Sequence, residues 1–240
     1  MTQDIVRIPP VWCGPDGIGQ GGVTGGLLAA TVTDGPVDVR LHAPAPLDRD
    51  LHVRRHPGGG EATLVDPGGR TIATARSIAA IDGTAPPVAD LATARSVTGT
   101  LNDRNPIARC VVCGREREDG LRVWPGPRPD GPGVAAAFTV PTAFRDGDGA
   151  LARPFVFGAL DCTSGFAVVR ESAGGFALTG SLQVQIDGPV PAGAPVIGTA
   201  AVAGRGRRTW LVDAALWSAG GDVLARTRAT WVDVDPSLLG

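Results

Sequence analysis

One acid stands in the most apolar stretch of the chain. From Phe155 to Val169 the sequence reads FVFGALDCTSGFAVV, and Asp161 is its only ionisable group. A carboxylate stripped of water must pair with a cation, hold its proton or serve a reaction. Arg153 and Arg170, at the two ends of the stretch, are the nearby cations. A second apolar stretch, Gly21 to Val32, opens on Gln20-Gly21-Gly22, where the missing Cβ atoms let backbone approach another group closely. Cys110-x-x-Cys113 has the spacing of a metal or redox pair. Zinc wants four ligands, however, and no second pair or His-x3–5-His follows, with Cys13 and Cys162 far away in sequence. No metal is therefore expected. Cys162 has no histidine in its own half to activate it, because His42, His52 and His56 all precede it in the first half. Arg205, Arg207 and Arg208 form a basic cluster in a turn, suited to phosphate or to keeping a sheet edge soluble.

The elements that must position these residues repeat along the chain. Val37 to Pro46 lines up with Leu182 to Pro191: both alternate apolar with polar residues and both end in Pro-x-Pro. Gly68 to Arg76 lines up with Gly220 to Arg228, each a Gly-Gly turn feeding a strand of period two. Each half places its apolar helix candidate before these strands. Two matches in the same order describe a duplicated unit of one helix and several antiparallel strands. Strands are expected at Leu121 to Trp124, Val134 to Val140, Leu178 to Asp187, Val196 to Ala203, Thr209 to Trp217 and Val223 to Val232. Proline at the start of Phe155–Val169 suits the first helical turn. The units are residues 1–81 and 110–240, and 82–109, polar and irregular, reads as a surface linker.

Composition narrows the classes. A chain of 240 residues with 43% hydrophobic content can bury the core of one large or two small domains. A net charge of −2 leaves no footprint for nucleic acid. No apolar run is long enough to span a bilayer, and MTQDIVRIPP lacks a basic-then-apolar signal, so the expected location is the cytoplasm, with reduced thiols. All 22 basic residues counted as Lys or Arg are arginine, which excludes a Schiff-base lysine; tyrosine is also absent.

These features carry a family resemblance. One buried helix wrapped by an antiparallel sheet, duplicated in one chain, resembles the α+β double (tandem) hotdog fold of type II acyl-CoA thioesterases. Cys110-Val111-Val112-Cys113-Gly114 followed by Gly120-Leu121-Arg122-Val123 is similar to the leading segment of many hotdog thioesterases. Gln20-Gly21-Gly22 resembles their His-Gly-Gly at the helix start, and Asp161 falls where they often carry a helical acid. Thr179 resembles the threonine that assists that acid, whereas the glutamine those enzymes carry near the C-terminus reads as Ala229 here.

The resemblance implies an acyl-CoA hydrolase with no cofactor beyond the CoA of its substrate. It implies that backbone N–H groups of Gly21 and Gly22 at a helix N-terminus polarise the thioester carbonyl and that Asp161 activates water, with Gln20 and Thr179 completing the site. The arginines at 205, 207 and 208 become candidates for the CoA phosphates. The first helix has the glycines but no acid, with Leu27, Leu28 and Ala29 around the acid's position, while the second has the acid but begins Arg153-Pro154-Phe155. One site per chain, at the interface of the units, follows. Alternatives are a non-catalytic acyl- or CoA-binding hotdog protein and a hotdog hydratase or dehydratase, the last wanting a helix-borne histidine. The expected ligand is a small acyl thioester, and the expected state is a monomer acting as a pseudo-dimer, or a homodimer.

Overall fold

A computed structural model of the chain describes residues 4–172 and 176–235. Its eleven strands form one antiparallel sheet in the order β1-β3-β4-β5-β2-β8-β11-β10-β9-β7-β6. The first half supplies β1 (Asp4–Arg7), β2 (Val37–Leu41), β3 (Asp50–Arg55), β4 (Glu61–Val65) and β5 (Thr71–Ser77). The second supplies β6 (Gly126–Pro127), β7 (Val134–Thr139), β8 (Phe176–Ile186), β9 (Pro195–Arg205), β10 (Thr209–Ser218) and β11 (Val223–Val234). Apolar residues alternate with polar ones in β3, β4 and the end of β8, giving that part of the sheet one face for a core and one for water, whereas Val196 to Ala200 of β9 and Val212 to Leu216 of β10 are buried on both faces.

The halves meet at β2 and β8. Val37 lies opposite Val184 and Val39 opposite Leu182, so this ladder reads alike from either strand about its centre at Asp38 and Gln183. The flanking ladders follow suit: Val37 pairs with Ser77 on β5, and Leu182 with Ala229 on β11.

Two helices lie on the covered face. α1 (Gly21–Ala29) packs on β2, β4, β5 and β8, and α3 (Arg153–Glu171) packs on β7 to β11. Every residue of α3 from Phe155 to Val168 is buried, because sheet covers one side and α1 covers another. Proline in the first turn starts α3 without a side-chain cap. Gln20 caps α1 by accepting the Val23 N–H at 2.6 Å.

Glycine sets how closely the helices approach. A Cβ on Gly22 would stand 2.6 Å from the Phe157 carbonyl oxygen, and one on Gly26 would stand 2.7 Å from the Pro154 Cα. Backbone therefore rests on backbone where α1 crosses α3.

Three sequence expectations need correction. α1 ends at Ala29 rather than Val32, because the Thr31 hydroxyl bonds back to the Leu28 carbonyl at 2.8 Å and the chain tightens into turns. Leu121 to Trp124 is not a strand of the sheet. Arg122 adopts φ 63°, and Leu121 and Val123 donate their N–H groups to Val111 and Val112 instead, pinning the cysteine loop. The segment 82–109 is not wholly irregular: it contains α2 (Leu91–Val97), capped by Asp90 on the Thr93 N–H at 2.9 Å. Ala94 of α2 is buried in a small cluster with Ala135 and Ile197 of the sheet. Among the described residues no helix is long and apolar enough to cross a membrane.

Gly26→Ala should lower unfolding stability by about 1–3 kcal/mol in urea denaturation, because the new methyl meets backbone that cannot yield. Gly188→Ala, with nothing within 4 Å of the added carbon, should change it by less than about 0.5 kcal/mol. Equal shifts would contradict the close helix crossing.

Candidate functional site

Asp161 sits near the middle of α3, facing the N-terminus of α1, and is 3% exposed. Its Oδ2 accepts the Gly22 N–H at 3.0 Å and the Gln20 Nε2–H at 2.6 Å. Its Oδ1 accepts the Thr179 hydroxyl at 2.6 Å, from β8. The Gln20 amide is fixed at both ends. Its oxygen caps Val23, so its nitrogen must face the carboxylate.

Burial raises the Asp161 pKa to about 6, and the bonds from Thr179, Gly22 and Gln20 hold it from rising further. The two arginines that flank α3 go elsewhere. Arg153 donates to the carbonyls of Thr33 and Asp34, at 2.9 Å and 3.3 Å, and Arg170 donates to those of Gly131 and Gly133. The acid is thus solvated by dipoles, two of them from the other half of the chain.

The group opens on a cavity of about 420 Å³, whose wall includes Gln20, Gly21, Asp161 and Thr179. That volume suits a small organic ligand. Most of its exposed lining is apolar, with Phe166, Leu178 and Trp231 prominent. Gly22 N–H, expected at a substrate carbonyl, holds Asp161 here, and Val23 N–H is taken by Gln20. Among the described residues, the remaining amide of the first turn is that of Gly21, on the cavity wall. Such an amide, at the positive end of the helix, favours developing negative charge.

The structure brings Gln20, Gly21, Gly22, Asp161 and Thr179 together across 159 positions of sequence, Gln20 to Thr179. It leaves Arg205, Arg207 and Arg208 at the β9–β10 turn, outside the cavity wall. Arg205 stacks over Trp210 at 3.5 Å and pairs with Asp233 at 2.7 Å, while Arg208 donates to the Asp233 carbonyl at 3.0 Å. Ala229 is buried in β11 with no polar group to offer. His42 lines the cavity from the end of β2, not from a helix, and bonds Thr74 at 2.9 Å.

Three features escaped the sequence. Trp231 lines the cavity, its ring against Gly165, where a Cβ would stand 2.7 Å from the indole. Its Nε1–H donates to the Ser164 hydroxyl at 2.9 Å, which donates in turn to the Asp161 carbonyl at 2.8 Å. Thr24 also lines the cavity; it is 1% exposed, and among the described residues its hydroxyl has no partner. The sequence signal for it is its spacing, a polar residue one turn after Gln20 on the same face. Cys162 joins Cys110 and Cys113, all three on the cavity wall, with the sulfurs of Cys110 and Cys162 3.8 Å apart.

No protein-family model matches the sequence, and no curated protein matches it. Solved structures do match in fold. A protein of Thermobifida fusca provisionally named thioesterase II aligns over 97% of this chain and 93% of its own, with a TM-score of 0.64 and 16% identity. A hot dog fold protein of unknown function from Alicyclobacillus acidocaldarius covers 98% of this chain and 94% of its own, with a TM-score of 0.62 and 14% identity. A provisionally named thioesterase from Novosphingobium aromaticivorans covers 97% of this chain and 96% of its own, at 0.61 and 16%. At these identities the likeness establishes architecture alone. The chain has the hotdog fold, shared over nearly its whole length with proteins named as thioesterases.

Proposed function

We propose that this chain is a tandem hotdog protein that hydrolyses small acyl thioesters, acyl-CoA among them, at one site between its two units. The tandem arrangement is supported by strand order: β1-β3-β4-β5-β2 in the first half mirrors β7-β9-β10-β11-β8 in the second. The repeat read in sequence equates Val37 with Leu182 and Val39 with Val184, which is the relation that the β2–β8 ladder obeys. On this basis units 1–81 and 110–240 arose by duplication, with 82–109 crossing between them. The pairing of units that hotdog proteins make is then satisfied within one chain, and a monomer suffices.

The carrying observation is the Asp161 carboxylate, set against the first turn of α1 at the wall of an apolar cavity. A thioester whose carbonyl oxygen meets the Gly21 N–H presents its carbonyl carbon toward Asp161. Asp161 takes a proton from water as the water oxygen bonds to that carbon. Negative charge moves to the carbonyl oxygen and is met by the α1 amide. The intermediate collapses, the C–S bond breaks, and the proton passes from Asp161 to the departing thiolate. Acid and thiol are the products.

Thr179 and Gln20 hold the two carboxylate oxygens, and Gly22 fixes the carboxylate against α1. The resemblance implies a catalytic glutamine near the C-terminus, where this chain has Ala229; the amide that donates to the acid here is that of Gln20, at 2.6 Å. The Thr24 hydroxyl is free to meet a polar group of the bound acyl chain.

A second reading, acyl-thioester binding without turnover, is favoured by the firm hold on Asp161 by three donors, which opposes proton transfer. A panel of acyl-CoA esters assayed by thiol release separates the two. Hydrolysis predicts turnover by the wild type and a loss of about 10²- to 10⁴-fold in Asp161→Asn, with the thermal midpoint kept or raised. Saturable binding with no thiol release above that of Asp161→Asn would establish the binding reading instead.

Thr179→Val should lower kcat by about tenfold with a smaller change in KM, since it loosens the acid rather than the substrate. A purely raised KM would place Thr179 in substrate binding.

A further inference from the structure

Three of the four cysteines stand together, although one of them comes from a helix far along the chain. The Sγ atoms of Cys110, Cys113 and Cys162 lie within 4.8 Å of one another, and all three residues are buried. Zinc–thiolate bonds of about 2.3 Å put the sulfurs of a tetrahedral site about 3.8 Å apart. The separation of Cys110 from Cys162, 3.8 Å, already has that value.

The loop that carries two of the sulfurs is shaped for the purpose. Gly114 N–H closes it on the Cys110 carbonyl at 2.8 Å, and a Cβ on Gly114 would stand 2.5 Å from the Ala108 oxygen. Only glycine lets the chain turn back here. Asn105 Nδ2 stands 3.5 Å from the Cys113 sulfur and Gln20 Nε2 stands 3.6 Å from that of Cys162. Two of the three sulfurs therefore meet a side-chain amide donor, surroundings that stabilise a metal-bound thiolate. Three thiolates this close repel one another unless a cation lies among them.

We propose that Cys110, Cys113 and Cys162 bind Zn2+ through three thiolates, with a fourth coordination position facing the cavity that all three line. Cys13 is not a ligand: its sulfur lies 3.3 Å from the Arg109 carbonyl and 3.6 Å from an Arg117 nitrogen. An open position at the cavity wall suits water or a small thiol entering from the cavity. This site stands independently of the hydrolase reading.

The full chain, purified with reduced thiols, loaded with Zn2+ and exchanged into metal-free buffer, tests it by elemental analysis. About one zinc per chain should remain, and X-ray absorption should show about three sulfur neighbours near 2.3 Å. Co2+ in place of Zn2+ should give thiolate-to-cobalt charge-transfer bands and the visible bands of a tetrahedral site. Cys110→Ser, Cys113→Ser and Cys162→Ser should each weaken zinc retention by about tenfold or more, and Cys13→Ser should not. Wild-type chain that retains no zinc and gives no cobalt bands would overturn the proposal, as would an equal loss in Cys13→Ser. So would a disulfide between two of the three cysteines in freshly purified chain under non-reducing mass spectrometry. Should a serine variant fail to fold, the sulfur count on wild type still decides.

Discussion

A carboxylate buried without a counter-ion must be solvated by dipoles, and Asp161 draws those dipoles from both halves of the chain. Gly22 and Gln20 come from the first half; Thr179 comes from β8 in the second. Each bond is worth roughly 1.5–3 kcal/mol when the acceptor is ionised. Together they offset a desolvation cost that would otherwise keep the acid protonated. The site and the docking of the halves are therefore one interaction seen from two sides.

That docking rests on two contacts of different kinds. At the sheet, β2 and β8 share a short ladder centred on Asp38 and Gln183. At the helices, glycine backbone meets glycine and proline backbone. The ladder fixes the rotation of one half against the other, and the helix crossing fixes their separation. With both set, the first turn of α1 has little freedom but to face Asp161.

Much of this was legible along the chain because its cause is local. A single acid in FVFGALDCTSGFAVV is conspicuous whatever the fold, and α3 was expected within two residues of its observed ends. The strands after α3 are legible from runs of apolar and β-branched residues between Gly/Pro turns, with period two in the second half of β8 and continuous burial in the middle of β9 and β10. Helix α2 was passed over because it is short and only Ala94 is buried, although the Asp90 cap was a usable signal. Trp231 was missed because a tryptophan in a strand has the same pattern whether it packs or lines a cavity. The cysteine group could not be found by spacing. Counting positions between ligands finds sites made by one loop, whereas Cys162 arrives through the packing of α3 on the loop before it.

The cavity wall is built from two unequal materials. Behind Gln20, Gly21 and Thr24 the helix crossing has no spare atoms, because Gly22 and Gly26 already touch α3 with bare backbone. Opposite stand the side chains of Phe166, Leu178 and Trp231, and of these Trp231 is tied to α3 through Ser164 and the Asp161 carbonyl. Size and shape at the Leu178 side of the cavity are thus set by side chains, whereas the spacing of the two helices is set by backbone.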